Sequence, residues 1–283
     1  MKQINGFFEG QEGFNLYYQG WLPENNPQAI VLIVHGLAEH SGRYAETAAS
    51  FVKEGYAVFC HNHRGHGLSE GRKGYIKYFA TYTRDLNNFM DETSVKYPGI
   101  PVFLLGHSIG GTIAVTSCLI NPDKIDGLIL SAPALQTGDS IKGWQVVLTK
   151  ILAVIAPKAG VDRLDSSTIS KDRAVVDAYR NDDLVYTGKL SARLCFEILK
   201  TMKELPQEMV NIKSHVLIIH GAEDRLVSPD GSRKIYETIG SEDKTLKIYE
   251  GLYHEIMNEP ERDMVYKDIT GWIAERLSIK KGD

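Results

Sequence analysis

The stretch "PVFLLGHSIGGT", residues 101–112, changes character at its midpoint. Pro101 to Leu105 form a short continuous apolar run of strand formers, the pattern of a strand buried on both faces. From Ile109 the residues "IGGTIAVTSCLINP" place Ile109, Ile113 and Ala114 at helical intervals, until Asn121 and Pro122 stop the helix. Ser108 is thus predicted on a sharp strand-to-helix turn, inside the pattern G-x-S-x-G spelled by Gly106-His107-Ser108-Ile109-Gly110. Glycines there let strand and helix crowd together, and the bend pushes the hydroxyl out of the sheet edge. Taken alone, the five residues also fit a serine N-cap in an ordinary parallel α/β protein, so the rest of the chain decides.

Outward from that turn the rhythm is strand, helix, strand. "GFFEGQEGFNLYYQGWLP" alternates and is punctuated by glycine, which predicts a β-hairpin before the main fold. Buried strands are predicted at 29–36, 56–62, 125–133, 214–221 and 244–251. Helices are predicted over "SGRYAETAASFVKEG", with Ser41 as N-cap, over "YTRDLNNFMDETSVKYPG" and "GSRKIYETIG", and near 260–278. Apolar strands alternating with helices imply a mostly parallel sheet covered on both faces. Between Ala134 and Pro206 no buried strand is predicted and helical patterns dominate. The division is therefore a core in two parts, 1–134 and 207–283, with a helical insertion at 135–206 lying above the crevice as a lid.

A serine hydroxyl is a poor nucleophile unless a base takes its proton and a third group orients that base. Where the serine sits on such an elbow, an acid and then a histidine follow it in the chain, each after a strand. Asp224 follows "VLIIHG" and His254 follows "LKIYEGLY", which meets both order and placement. Glu223 is the nearest competitor for the acid, and Asp224 itself also fits a turn residue paired with Arg225. His220 is the rival base; it ends the strand leading into Asp224's own turn, so it is not expected both to take orientation from that carboxylate and to reach Ser108. Acyl transfer further needs two N–H groups aimed at a developing alkoxide. Ile109, after the nucleophile, and Leu37, after His35-Gly36 in "VHGLAEH", are the candidates, although His-Gly also fits a plain strand-ending turn.

Composition narrows the rest. The 283 residues are 43% hydrophobic, enough for a large core, and the net charge of −4 argues against nucleic acid. Cys60, Cys118 and Cys195 are far apart and read as reduced core thiols. "HNHRGHG" brings His61, His63 and His66 close, but without an acidic or cysteine partner and with Gly65 and Gly67 marking a turn, so no metal is expected. The N-terminus has no apolar signal-peptide core, and "WQVVLTKILAVIAP" is too short to span a bilayer and carries Lys150. A soluble cytoplasmic protein is expected. Wound at helical pitch, residues 141–156 gather Ile141, Trp144, Val147, Leu148, Ile151, Leu152, Val154 and Ile155 on one broad face. That face either packs on the domain beneath or lines an acyl channel and rests peripherally on a membrane surface.

Taken together, "HGLAEHSGRY" (35–44), "RGHGLSEG" (64–71), "GHSIGG" (106–111), "DSSTISKD" (165–172), "GAEDRLV" (221–227) and "KTLKIYEGLYHE" (244–255) resemble the monoacylglycerol lipases, serine hydrolases of the α/β-hydrolase fold. The resemblance spans nearly the whole chain, lid included. It implies a Ser108, Asp224, His254 triad, a Leu37 and Ile109 oxyanion hole, no cofactor, a small-molecule lipid ester substrate, and glycerol contacts from Glu39, Arg43 and Tyr186. Glu39 and Arg43 fit equally an ordinary ion pair at a helix start. Two positions depart from the family pattern: Asn62 stands where Asp is usual before "RGHG", and Met257 where some relatives carry a polar residue. A lysophospholipase or short-chain carboxylesterase shares every motif except the glycerol contacts, and a non-catalytic receptor is the rival of another class.

Overall fold

A computed structural model describes residues 1–135 and 143–282. The chain opens with β1 (Lys2–Glu9) and β2 (Asn15–Leu22), the expected hairpin, whose antiparallel register pairs Gly6 with Tyr18. Then come β3 (Ala29–Val34), α1 (Ala45–Lys53), β4 (Tyr56–His61), α2 (Ala80–Lys96), β5 (Val102–His107), α3 (Ile109–Ile120) and β6 (Gly127–Ser131). After the insertion follow β9 (His215–Gly221), α7 (Pro229–Thr238), β10 (Lys244–Tyr249) and α8 (Arg262–Gly282). The insertion itself holds α4 (Gly143–Ile155), β7 (Gly160–Asp162), α5 (Arg173–Arg180), β8 (Leu190–Ser191) and α6 (Ala192–Glu208). β7 and β8 pair as a small antiparallel ribbon of three and two residues, too short to leave a periodic signal in the sequence.

The large sheet runs β1-β2-β4-β3-β5-β6-β9-β10; only β1 and β2 are antiparallel to their neighbours. Burial on both sides explains the unbroken apolar runs of its inner strands. In β3, Ile30, Leu32 and Val34 face a core shared with α2, α3, α6 and α7, while Ala29, Val31 and Ile33 face a second core shared with α1 and α8. This is the period of two expected of strand side chains. Each fully buried Leu or Ile contributes roughly 1.5–3 kcal/mol of transfer free energy, so both faces of the sheet hold it rigid. The chain leaves β3 toward β4 on one side and later enters β5 on the other. Loops from adjacent strand ends diverge there, opening a crevice at the carboxyl ends of β3 and β5. The chain therefore has the α/β-hydrolase architecture, with a helical insertion between β6 and β9.

Local details differ from the sequence reading at the start of α1. Ser41 does not cap a helix; residues 41–44 form a tight 3-10 turn capped by His40, whose Nδ1 accepts from Gly42 N–H at 3.1 Å. The Ser41 hydroxyl donates instead to Gln19 Oε1 at 3.0 Å and its N–H to Asn62 Oδ1 at 2.7 Å, partners that local sequence cannot reveal. Ile141 and Lys142, and the side chain of Trp144, lie outside the described residues. No helix among the described residues is long and apolar enough to cross a membrane.

Candidate active site

Ser108 has φ 53° and ψ −119°, a conformation that residues with a Cβ avoid at a cost of order 1–3 kcal/mol. Surrounding contacts hold it there. Its N–H donates to the Ser131 carbonyl at 2.9 Å, and its own carbonyl accepts from Gly111 and Ala134, each at 3.0 Å. The glycines of the motif are sterically required: a Cβ on Gly110 would collide with the Val34 carbonyl, and one on Gly106 with the Gly110 backbone. An N-cap serine needs none of this. Among the described residues the Ser108 side chain makes no cap hydrogen bond.

His254 and Asp224 arrive from the ends of β10 and β9. Asp224 Oδ2 accepts from His254 Nδ1 at 2.6 Å, which turns the other ring nitrogen away from the carboxylate. Ser108 and His254 line one cavity of about 110 Å³. Asp224 Oδ1 accepts from the N–H groups of Leu226 (2.8 Å) and Val227 (3.0 Å), so a tight turn fixes the carboxylate. Glu223, the competing acid, is exposed. Burial works to raise the Asp224 pKa, yet the paired histidines outweigh it and hold the carboxyl well below the usual range. For His254, burial works to lower the pKa; the Asp224 charge and hydrogen bond, then Glu255 and Glu39, reverse the sign and raise it above 6.5.

His220 takes up one of the two contacts weighed for it. It does reach Asp224, with Nε2 2.9 Å from Oδ2, and Nε2 also lies 3.1 Å from the Val227 carbonyl. Two acceptors at Nε2 require a proton there, so Nδ1 accepts from the Ser232 hydroxyl at 2.7 Å. The ring is fully buried and does not line the cavity. It braces the acid. His61, His63 and His66 are likewise buried; burial depresses His61 to about 3 and His66 to about 4. His63 Nε2 donates to the His35 carbonyl at 2.9 Å, which makes this cluster packing beneath the β3 loop.

Leu37 lies in the loop after β3, and Ile109 is the first residue of α3 and is absent from the cavity lining. Ile109 opens α3, so its N–H has no intrahelical acceptor and adds to the positive helix terminus. The Leu37 N–H finds no backbone acceptor among the described residues, and Leu37 lines the cavity with Gly36. Behind them stands a buried charge cluster that the sequence reading only partly foresaw. Glu39 Oε1 accepts from Gly36 N–H and from the Tyr44 hydroxyl, and Oε2 from Arg43 at 2.8 Å. Arg43 also grips Glu255 through two bonds of 2.7 Å and stacks over the Tyr179 ring at 4.7 Å. This is a buried bidentate pair, not an exposed ion pair at a helix start.

Glu39 lines the cavity; Arg43 sits behind it. Tyr186 is not brought in: its hydroxyl donates to the Lys189 carbonyl at 2.9 Å, and the residue is absent from the lining. Glu255 and Tyr179 occupy the wall instead. The Tyr179 hydroxyl is buried without a partner among the described residues. Glu255 follows His254 directly, a signal available in the sequence, whereas Tyr179 lies in α5 with no local mark of function. Met257 packs in the core against Tyr266, away from the cavity. Asn62 keeps the turn by accepting from Ser41, so an acceptor persists where the family pattern has Asp.

The family model described as serine aminopeptidase, S33, matches residues 25–261. A monoacylglycerol lipase of Mycolicibacterium smegmatis is 35% identical over 270 residues, covering 95% of this chain and 96% of that protein. A phospholipase of Bacillus subtilis is 35% identical over 250 residues, covering 86% and 94%. The crystal structure of a Paleococcus ferrophilus monoacylglycerol lipase superposes with a TM-score of 0.84 at 31% identity, over 92% of this chain and 99% of that one. Agreement along both chains, insertion included, places this protein in the monoacylglycerol lipase family, serine hydrolases of the α/β-hydrolase fold.

Proposed function

We propose that the chain hydrolyses monoacylglycerols to glycerol and a free fatty acid. Ser108 Oγ attacks the ester carbonyl while His254 Nε2 takes its proton, and Asp224 keeps Nδ1–H in place and stabilises the imidazolium. The N–H groups of Leu37 and Ile109 receive the negative charge on the carbonyl oxygen. The tetrahedral intermediate collapses, the C–O bond to glycerol breaks, and His254 returns the proton to the leaving oxygen. Water, deprotonated by the same imidazole, then cleaves the acyl-serine and restores the hydroxyl.

The observation that carries the choice of head group is the cavity. Beside Ser108 it offers about 110 Å³, room for a small polyol next to the ester. Glu39, Glu255 and the orphan Tyr179 hydroxyl offer acceptors and a donor for glycerol hydroxyls. An unpartnered buried hydroxyl costs about 1–3 kcal/mol until a ligand satisfies it. We further propose that residues 135–206 act as a cap whose α4 touches lipid. Val154 and Ile155 are 74% and 73% exposed, and Val147 and Ile151 are 59% and 50%, a face too apolar to stand in water without use.

A lysophospholipase is the second reading, favoured by the likeness to the Bacillus subtilis phospholipase. A hydrolysis panel of mono-, di- and triacylglycerols beside lysophospholipids tests the proposal. Fastest turnover on monoacylglycerol supports it; a preference for a lysophospholipid replaces it with the second reading.

A further inference from the structure

We propose that Asp182, in the insertion, is a positioning residue that acts through His40 on the loop carrying the Leu37 amide. The inference rests on the reading of Leu37 as an oxyanion donor. A donor contributes only if it is held where the charge develops, because a displacement of about 1 Å can cost on the order of 100-fold in rate. The loop from His35 to Ser41 is held from the core on one side: Gly36 N–H donates to Glu39, and His35 Nδ1 donates to the Gly36 carbonyl at 2.7 Å. Ala38 nevertheless has φ 68°, the left-handed region that a residue with a Cβ leaves unless something retains it.

What retains it comes from the insertion. The Ala38 carbonyl accepts from Tyr186 N–H at 2.8 Å. Two residues on, His40 Nε2 lies 2.8 Å from Asp182 Oδ2. The tautomer of His40 follows from its other nitrogen: Nδ1 accepts from Gly42 N–H, so the proton is on Nε2 and points at Asp182. Asp182 also builds the turn that delivers the Tyr186 amide. Its Oδ1 accepts from Leu184 N–H at 2.8 Å, and its carbonyl accepts from Val185 N–H at 3.1 Å. One carboxylate thus organises both links between insertion and loop. The contact is shielded, with side-chain exposures of 7% for His40 and 30% for Asp182.

The insertion is therefore part of the oxyanion machinery as well as a cover. Asp182→Asn tests this selectively, because its carbonyl oxygen can still cap Leu184 N–H while its amide group opposes the His40 N–H. The prediction is a fall in kcat of about 10- to 100-fold with little change in KM, on both a monoacylglycerol and a soluble short-chain ester, since the oxyanion forms on both. His40→Gln should produce a similar fall. In the double variant the second substitution should add almost nothing, because the two act as one unit. Asp183→Asn, which removes an exposed charge from the same turn, should leave kcat unchanged. Thermal melts of each variant separate lost positioning from lost fold. Multiplicative losses in the double variant, or a loss confined to KM, overturn the proposal. A wild-type enzyme that cleaves the short-chain ester but no monoacylglycerol overturns the substrate reading instead, and the cycle on the short-chain ester still tests Asp182.

Discussion

Asp224→Asn is the perturbation whose outcome the geometry fixes most tightly. Four donors converge on the carboxylate: His254 and His220 on Oδ2, the Leu226 and Val227 amides on Oδ1. Asparagine has a single acceptor oxygen, so one pair must face an amide group. The two backbone N–H groups cannot reorient, and leaving both unpaired costs about 1–3 kcal/mol each. The imidazoles can move their protons, so the oxygen turns to the backbone and the NH₂ to the rings. His254 must then accept at Nδ1, which puts its proton on Nε2. A protonated Nε2 cannot take the Ser108 proton. The expected loss in kcat is on the order of 10⁴, or about 5 kcal/mol of barrier, with the fold retained. Chromogenic release from a soluble short-chain ester measures it, with exposed Glu223→Gln as the control. A variant keeping a tenth of the activity, or a larger loss in Glu223→Gln, refutes the assignment of the acid.

The same site predicts a pH profile. His254 must be neutral to act as base and its pKa is raised, so kcat/KM should fall on the acid side at a midpoint above 6.5, and Glu255→Gln should move that midpoint down; a limb at or below 6.5 that ignores Glu255 contradicts this. Asp224 carries a depressed pKa in the folded state, so its share of stability is present above the ordinary value of 3.8 and is lost as pH falls below it. Asp224→Asn should remove that part of the acid sensitivity, which urea midpoints between pH 3 and pH 6 measure by about 1 kcal/mol or more. Arg43→Met leaves the buried Glu39 and Glu255 uncompensated and should destabilise by about 3–5 kcal/mol in urea unfolding; a change under about 1 kcal/mol would be that of an exposed pair. Replacing Val154 and Ile155 together by Ser should weaken hydrolysis of aggregated monoacylglycerol and spare a soluble ester. Equal losses on both substrates would make α4 ordinary packing.

The parts of the fold set by local pattern are legible in the sequence. Strand β5, with all six residues buried, is a plain apolar run, and the glycines flanking Ser108 announce the elbow because no other residue fits beside the Val34 and Gly110 backbone. The order Ser108, Asp224, His254 follows from each standing after a strand. The groups that set the electrostatics were not readable to the same degree. Arg43 and Glu255 are 212 positions apart, and the two ends of the Asp182–His40 pair are 142 apart. Periodicity reports which face of an element is buried, not which loop meets which at the sheet's edge. Tyr186 shows the limit: a tyrosine in the insertion looks like a ligand for glycerol, yet its backbone N–H, which has no sequence signature, makes the contact with the loop. Ser41 does not cap for a similar reason, since Gln19 from β2 takes its hydroxyl.

Every other role in the site depends on Ser108 being the nucleophile of a monoacylglycerol hydrolase. The most direct measurement is glycerol release from a long-chain monoacylglycerol by the wild type and by Ser108→Ala, prepared alike and matched by thermal melts. Steady glycerol release by the wild type is expected, with a fall on the order of 10⁴ or more in the variant at unchanged melting temperature. A folded Ser108→Ala variant that keeps a tenth of the wild-type rate, or a wild type that releases no glycerol, contradicts it.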